Sequence, residues 1–183
     1  FFLILYCILV TSKYHLRVNE ERKFHELNQV NFSKSIPAKK IDSKLKGLKW
    51  ITPPFKDNVE EEINFIKDLK SQIQTDKRKK MVITHYSFIS SILDENFFSP
   101  SMAYTSDGSI IPLKNNKYSQ KYKNLVINLI KKNNVDVIYI VYPVHKGSIA
   151  DYLDKSCLKE KLILKGVISY EIKRCKDLIG KNN

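Results

Sequence analysis

Apolar residues recur along this chain in two ways: every three or four positions, the period of a helix face, and in short unbroken runs, as in a strand buried on both sides. Residues 59–75 follow the helical period, with Ile63, Ile66, Leu69, Lys70 and Ile73 on one face and Asp57 or Asn58 placed to cap the first turn. Glu60, Glu61 and Glu62 in that turn suit the positive end of the helix dipole. Residues 117–133 follow the same period through Tyr118, Tyr122, Leu125, Val126, Leu129 and Ile130, and Asn133-Asn134 ends them. Residues 81–84 (MVIT) are a short apolar run, and 135–142 (VDVIYIVY), interrupted only by Asp136, is the clearest strand in the sequence. Residues 48–52, stopped by Pro53-Pro54, and 166–173 complete four predicted strands, and shorter helices are expected over 88–94 and 149–158. Strand and helix alternate, so the pattern predicts an α/β domain over residues 47–183, three-layered, with a mainly parallel sheet of about four strands.

Ahead of this domain the pattern changes. Residues 1–10 (FFLILYCILV) are apolar without interruption, and Lys13, His15, Arg17, Arg22 and Lys23 follow at once. A membrane-spanning helix needs about 20 apolar residues. A signal peptide carries its charge before the apolar run, the reverse of the order here. Residues 1–12 are therefore read as the end of a transmembrane helix that begins further upstream. Residues 13–46 are read as a juxtamembrane helix and connector, with Tyr14, Leu16, Val18, Phe24 and Leu27 partly at helical spacing.

Composition narrows the partners. The formal charge is +13, but only four of the 32 basic residues are Arg, so 28 are Lys. Readers of nucleic acid rely on the bidentate Arg fork, so no nucleic-acid partner is expected. A Lys-rich surface beside an apolar anchor fits the lipid bilayer as partner, through its anionic headgroups. Of the three cysteines, Cys157 and Cys175 flank the last predicted strand. In an extracytoplasmic domain they could join, closing a loop of about 18 residues and adding about 3 kcal/mol; in a cytoplasmic one they are two thiols.

Ligands gather beyond the carboxyl ends of parallel strands. His85 and Tyr86 leave one predicted strand there, His145 leaves another, and Asp107 sits in the long irregular loop 104–117 (YTSDGSIIPLKNNK). These four are the candidate binding residues; His85 and His145 could also serve a hydrolase-like site. With five glycines the chain has no glycine-rich phosphate cradle, nor a nucleophile elbow. Histidine and cysteine spacing offers no metal site, and Asp94-Glu95 reads as a solvated helix end.

Four stretches, KYHLRVNEERKFHEL at 13–27, LKGLKWITPPF at 45–55, MVITHYSFISSIL at 81–93 and DGSIIPLKNNKYSQKYKNL at 107–125, carry a resemblance. Together they resemble the C-terminal region of polytopic bacterial membrane proteins, GT-C type glycosyltransferases of the protein-mannosyltransferase-like group. The resemblance implies a parent enzyme in the bacterial inner membrane that takes sugar from a polyprenyl-phosphate donor. It also implies that the catalytic carboxylate lies in an upstream loop, so no catalytic residue and no cofactor is assigned to this stretch. The domain would then be extracytoplasmic, packed with the chain's own upstream helices, and would cover the active site or bind acceptor glycan. Lys13, Arg17, Arg22 and Lys23 argue the opposite sidedness by the positive-inside rule. The alternative is a membrane-anchored binding module without catalysis.

Overall fold

The computed structural model describes residues 2–16, 31–52, 58–101, 111–112, 115–144, 149 and 152–173. The protein is a mixed α/β chain in two compact units, Phe1–Lys67 and Asp68–Asn183. Helix α1 is Phe2–His15, helix α2 is Val59–Thr75, and the division between units falls inside α2.

In the first unit, α1 is apolar all round and none of its residues is buried. At 1.5 Å per residue it is about 21 Å long. Among the described residues no helix is long and apolar enough to cross a membrane. The connector folds on itself: strand β1, Ile36–Pro37, pairs antiparallel with β2, Lys49–Trp50, in the register Ile36↔Trp50. Two 3-10 turns, Ala38–Lys40 and Ser43–Leu45, shorten the path between them, and Ala38 and Ile41 are buried. Gly47 takes φ +91°, which an L side chain would strain. Trp50 Nε1 donates to Glu62 Oε2 at 3.0 Å, and Lys40 pairs with Glu60 at 2.8 Å. Both bonds tie the ribbon to the start of α2, which Asn58 caps by accepting the Glu60 N–H at 3.0 Å.

The second unit holds a four-stranded sheet. Its strands are β3 (Lys80–Ile83), β4 (Val137–Val141), β5 (Leu158–Leu164) and β6 (Val167–Ile172), in the order β3-β4-β6-β5. Helices α3 (Phe88–Leu93) and α4 (Ser119–Asn133) lie in the connection between β3 and β4. Met81 and Ile83, Ile138 and Ile140, and Tyr170 form one core with Val126, Ile127 and Ile130 of α4. Strand residues of the other parity, Val82, Val137, Tyr139, Val141 and Val167, are buried as well.

The sheet departs from the mainly parallel one expected. Only β3 and β4 run parallel; β4–β6 and β5–β6 are antiparallel. The reason is connection length. A long crossover through two helices can return a strand in the same direction, whereas Lys165-Gly166 joins β5 to β6 as a hairpin turn and forces reversal. Gly166, read as the start of a strand, is that turn, at φ +87°. Of the helix expected over 149–158, Ile149 is helical and residues 150–151 lie outside the described residues, while Lys155–Cys157 is a 3-10 turn and Leu158 already opens β5. The expected strand over 48–52 lies in the two-stranded ribbon instead of this sheet. Of the face expected on α4, Val126 and Ile130 are buried and Tyr122 and Leu129 pack against the core, whereas Leu125 and the preceding Tyr118 are exposed and Ile127 is buried in addition.

A polar network closes the end of the unit where β3 begins. Arg78 binds Asp76 through Nε at 2.9 Å and Nη2 at 2.8 Å, and reaches Glu171 of β6 through Nη1 at 3.1 Å. Tyr139 of β4 donates to the same Asp76 carboxylate at 2.6 Å. Burial pushes the Asp76 carboxyl up, but the hydrogen bonds from Arg78 and Tyr139 outweigh it and hold the group well below the usual carboxylate range. Burial and the Asp76 bond push the Tyr139 phenol up. A carboxyl depressed in the folded state stabilises fully above its ordinary value of 3.8, and that stability is lost as pH falls below it. Asp76→Asn is expected to cost about 2 kcal/mol at neutral pH and to flatten the acid limb of the stability profile. Urea unfolding of both proteins between pH 2 and pH 7 checks this; parallel acid limbs would refute it.

Candidate functional site

The carboxyl end of β3 leads directly into a cavity whose described walls come from a single stretch of chain. Beyond Ile83, Thr84 Oγ1 accepts the Tyr86 N–H at 3.0 Å and turns the backbone toward α3. Helix α3 ends at Asp94, in the left-handed region at φ +51°, with its N–H given to the Ser90 carbonyl. The Glu95 N–H goes to the same carbonyl at 3.0 Å. The chain then runs back: Asn96 accepts the Phe98 N–H at 3.0 Å, and the Phe97 carbonyl accepts the Val82 N–H at 3.2 Å. That last bond occupies the outer edge of β3, which no other strand of the sheet pairs with. Phe98 also takes a positive φ, +47°, a conformation a bulky residue holds only when its surroundings impose it.

Between α3, the returning segment and β3 lies a cavity of about 500 Å³, within the range of roughly 300–1,000 Å³ typical of ligand pockets. Val82 and Thr84 form its strand wall, Ser87, Ser90 and Ser91 its helix wall, and residues 94–101 the remainder. Two carboxylates, Asp94 and Glu95, stand on that last wall beside Asn96, Phe97, Phe98 and the hydroxyls of Ser99 and Ser101. Among the described residues no Lys or Arg lines it.

The wall is anchored by charge. Lys80, the first residue of β3, alternates onto the same strand face as Val82 and Thr84, and its side chain is 1% exposed. Its ammonium donates to Glu95 Oε1, whose side chain is 34% exposed. A buried ammonium without a partner costs several kcal/mol, so Glu95 has one position it can occupy.

The sequence candidates fare unevenly. His85 is half-buried with its Nε2 closed to solvent, and Tyr86, 5% exposed, packs edge-on to Phe88 with ring centroids 6.3 Å apart. Their neighbours Thr84 and Ser87 line the cavity; these two residues lie just outside its lining. Asp107 and His145 lie outside the described residues. Cys157 is buried and disulfide-bonded; Cys175, the expected partner, lies outside the described residues. Thr52, after another predicted strand, belongs to the first unit. Among the described residues no group of three His, Cys, Asp or Glu side chains could hold a metal ion.

Sequence reasoning missed the cavity because it followed the histidines. A usable signal was present in the serines, at 87, 90, 91, 99 and 101, around Asp94-Glu95-Asn96. Chemically the lining offers hydroxyls that both donate and accept, an amide that does the same, carboxylates that accept, and two aromatic rings. Such a set can exchange hydrogen bonds with a ligand's hydroxyls.

Glu95→Gln leaves the Lys80 charge buried and is expected to cost about 2–3 kcal/mol, less than a fully buried pair because Glu95 is partly solvated. Lys80→Met combined with Glu95→Gln should recover most of that loss. Denaturant unfolding of the two single variants and the double variant tests the coupling, and additive losses would contradict it. No family model, curated protein or solved structure matches this chain.

Proposed function

We propose that the chain is the C-terminal part of a membrane-embedded, GT-C type glycosyltransferase that uses a polyprenyl-phosphate-linked sugar donor, and that its α/β unit holds acceptor glycan. The observation that carries the reading is the cavity beside β3, whose lining combines serine hydroxyls, an amide and carboxylates with two phenylalanines. Sugars present that combination in reverse: hydroxyls around the rim and an apolar ring face.

Two further observations support the membrane setting. Helix α1 exposes Phe2, Leu3, Ile4, Tyr6 and Leu9, a surface suited to lipid or to neighbouring apolar helices. The disulfide at Cys157 fits an oxidising, extracytoplasmic compartment, with Cys175 as its partner. In this reading the sheet is the middle of three layers, with α4 on one face and the end of α2 on the other. The bilayer, the upstream helices and the acceptor glycan are then the partners. A membrane-anchored binding module without catalysis draws on the same cavity and helix, and sugar transfer separates the two.

Ser91 is exposed on the helix wall, so Ser91→Trp fills the cavity without disturbing the core. It is expected to lower oligosaccharide binding at least tenfold while leaving stability within about 0.5 kcal/mol. Sugar transfer from a polyprenyl-phosphate donor, measured in membranes carrying the protein, should fall with it. Binding unchanged by the tryptophan would remove the cavity as the glycan site. Lost binding with unchanged transfer would make the domain accessory to the enzyme.

A further inference from the structure

We infer that the small ribbon built from residues 31–50 is a docking surface for an anionic lipid bilayer. The inference rests on the membrane setting proposed above and adds a second contact with the bilayer, outside α1 and apart from the cavity.

The argument begins from where the charge lies. Residues 31–50 hold six Lys against one Asp, an excess of five out of the chain's 13, and no Arg. Lys34, Lys39, Lys46 and Lys49 are exposed, and among the described residues no ion pair engages any of them. Lys40, by contrast, is held by Glu60.

The backbone gathers these lysines. Pairing of β1 with β2 closes the stretch into a loop, and the Ala38 N–H donates to the Leu48 carbonyl at 2.9 Å. Lys39 and Lys49 each follow a residue of that bond, and Lys46 lies in the turn that the Leu48 N–H closes on the Leu45 carbonyl at 3.1 Å. Only Ala38 and Ile41 of this loop are buried, so its side chains serve the surface more than a core.

Exposed apolar residues stand among the charges. Leu48, 60% exposed, lies between Lys46 and Lys49, and Phe32, 58% exposed, opens the 3-10 turn Phe32–Lys34. Lysine beside an exposed leucine or phenylalanine suits a bilayer interface, where the ammonium meets headgroups and the apolar group enters the acyl boundary. Nucleic acid would favour the Arg fork, which this stretch lacks. Each basic residue brought to an anionic surface strengthens binding about fivefold.

The test uses the whole chain and flotation with vesicles of phosphatidylcholine, with or without one-third phosphatidylglycerol. Binding to the anionic vesicles is expected to be at least tenfold tighter at low salt, and salt should narrow the gap. Replacing Lys34, Lys39, Lys46 and Lys49 together by Gln should remove at least tenfold of the anionic binding and leave the neutral binding unchanged. The same loss of charge at Lys117, Lys121, Lys131 and Lys132, exposed in the second unit, should weaken it less than threefold. Equal losses from the two sets would reduce the effect to net charge and overturn the ribbon as a docking surface. Equal binding to both kinds of vesicle overturns it too, and leaves the apolar contact of α1 standing. Failure to float with either overturns the ribbon and the membrane setting together.

Discussion

The buried ammonium of Lys80 is the constraint from which the geometry of the second unit's cavity follows. Lys80 opens the edge strand β3 and has almost no solvent. A charge there must be neutralised by a carboxylate at contact distance, and the chain supplies Glu95, fifteen residues on. Meeting that requirement obliges the polypeptide to leave β3, make the short helix α3, and come back toward the place where the strand began. The return explains the left-handed residues Asp94 and Phe98, which bracket the segment that turns. It also explains why the Phe97 carbonyl can reach the Val82 N–H and close the edge of the sheet. The space enclosed by this detour is the cavity. A polar strand start thus becomes the reason for a polar pocket, through one ion pair and the loop it holds.

A second network fixes the same end of β3 from the other side. Asp136, just before β4, accepts the Lys79 N–H at 3.2 Å, and its own N–H returns to the Lys79 carbonyl at 2.8 Å. Asp76 gathers Arg78 and Tyr139, and Arg78 extends the contact to Glu171 on β6. Three strands are therefore registered by charged and polar side chains where they start or end, and by apolar packing through their middles. The division suits a small sheet whose hairpin edge, β5, is largely exposed: its core is narrow, and hydrogen-bonded charge at the margin resists fraying.

What could be read from the sequence was whatever depends on local period. Helix α2 occupies the predicted 59–75, capped by Asn58, because Ile63, Ile66, Leu69 and Ile73 leave only one face to bury. Strands β3 and β4 were legible for a similar reason: four and five consecutive buried residues admit few other structures. Strand β5 was not legible, since LKEKLIL sets Lys159 and Lys161 on one face and Glu160 between leucines on the other, and in an exposed hairpin no burial pattern forms. Strand direction was misjudged because it depends on connection length, and Gly166 looked like the start of a strand until its partner strand was known. The site was less legible still. Its key pair, Lys80 and Glu95, has no local signature: a lysine before MVIT and a glutamate after a helix each look solvated, and only the tertiary return makes one of them buried.

Net charge is the property that misleads most in such a chain. An excess of 13 positive charges directs attention to anionic partners, and at the scale of the whole surface that expectation is sound. Within a cavity the controlling quantity is different: it is the charge able to reach a ligand, after each ion pair has been subtracted. Lys80 lies against the cavity wall and contributes nothing to an incoming group because Glu95 already holds it. Surface lysines, screened by solvent and salt over about 8–10 Å, contribute little at that depth.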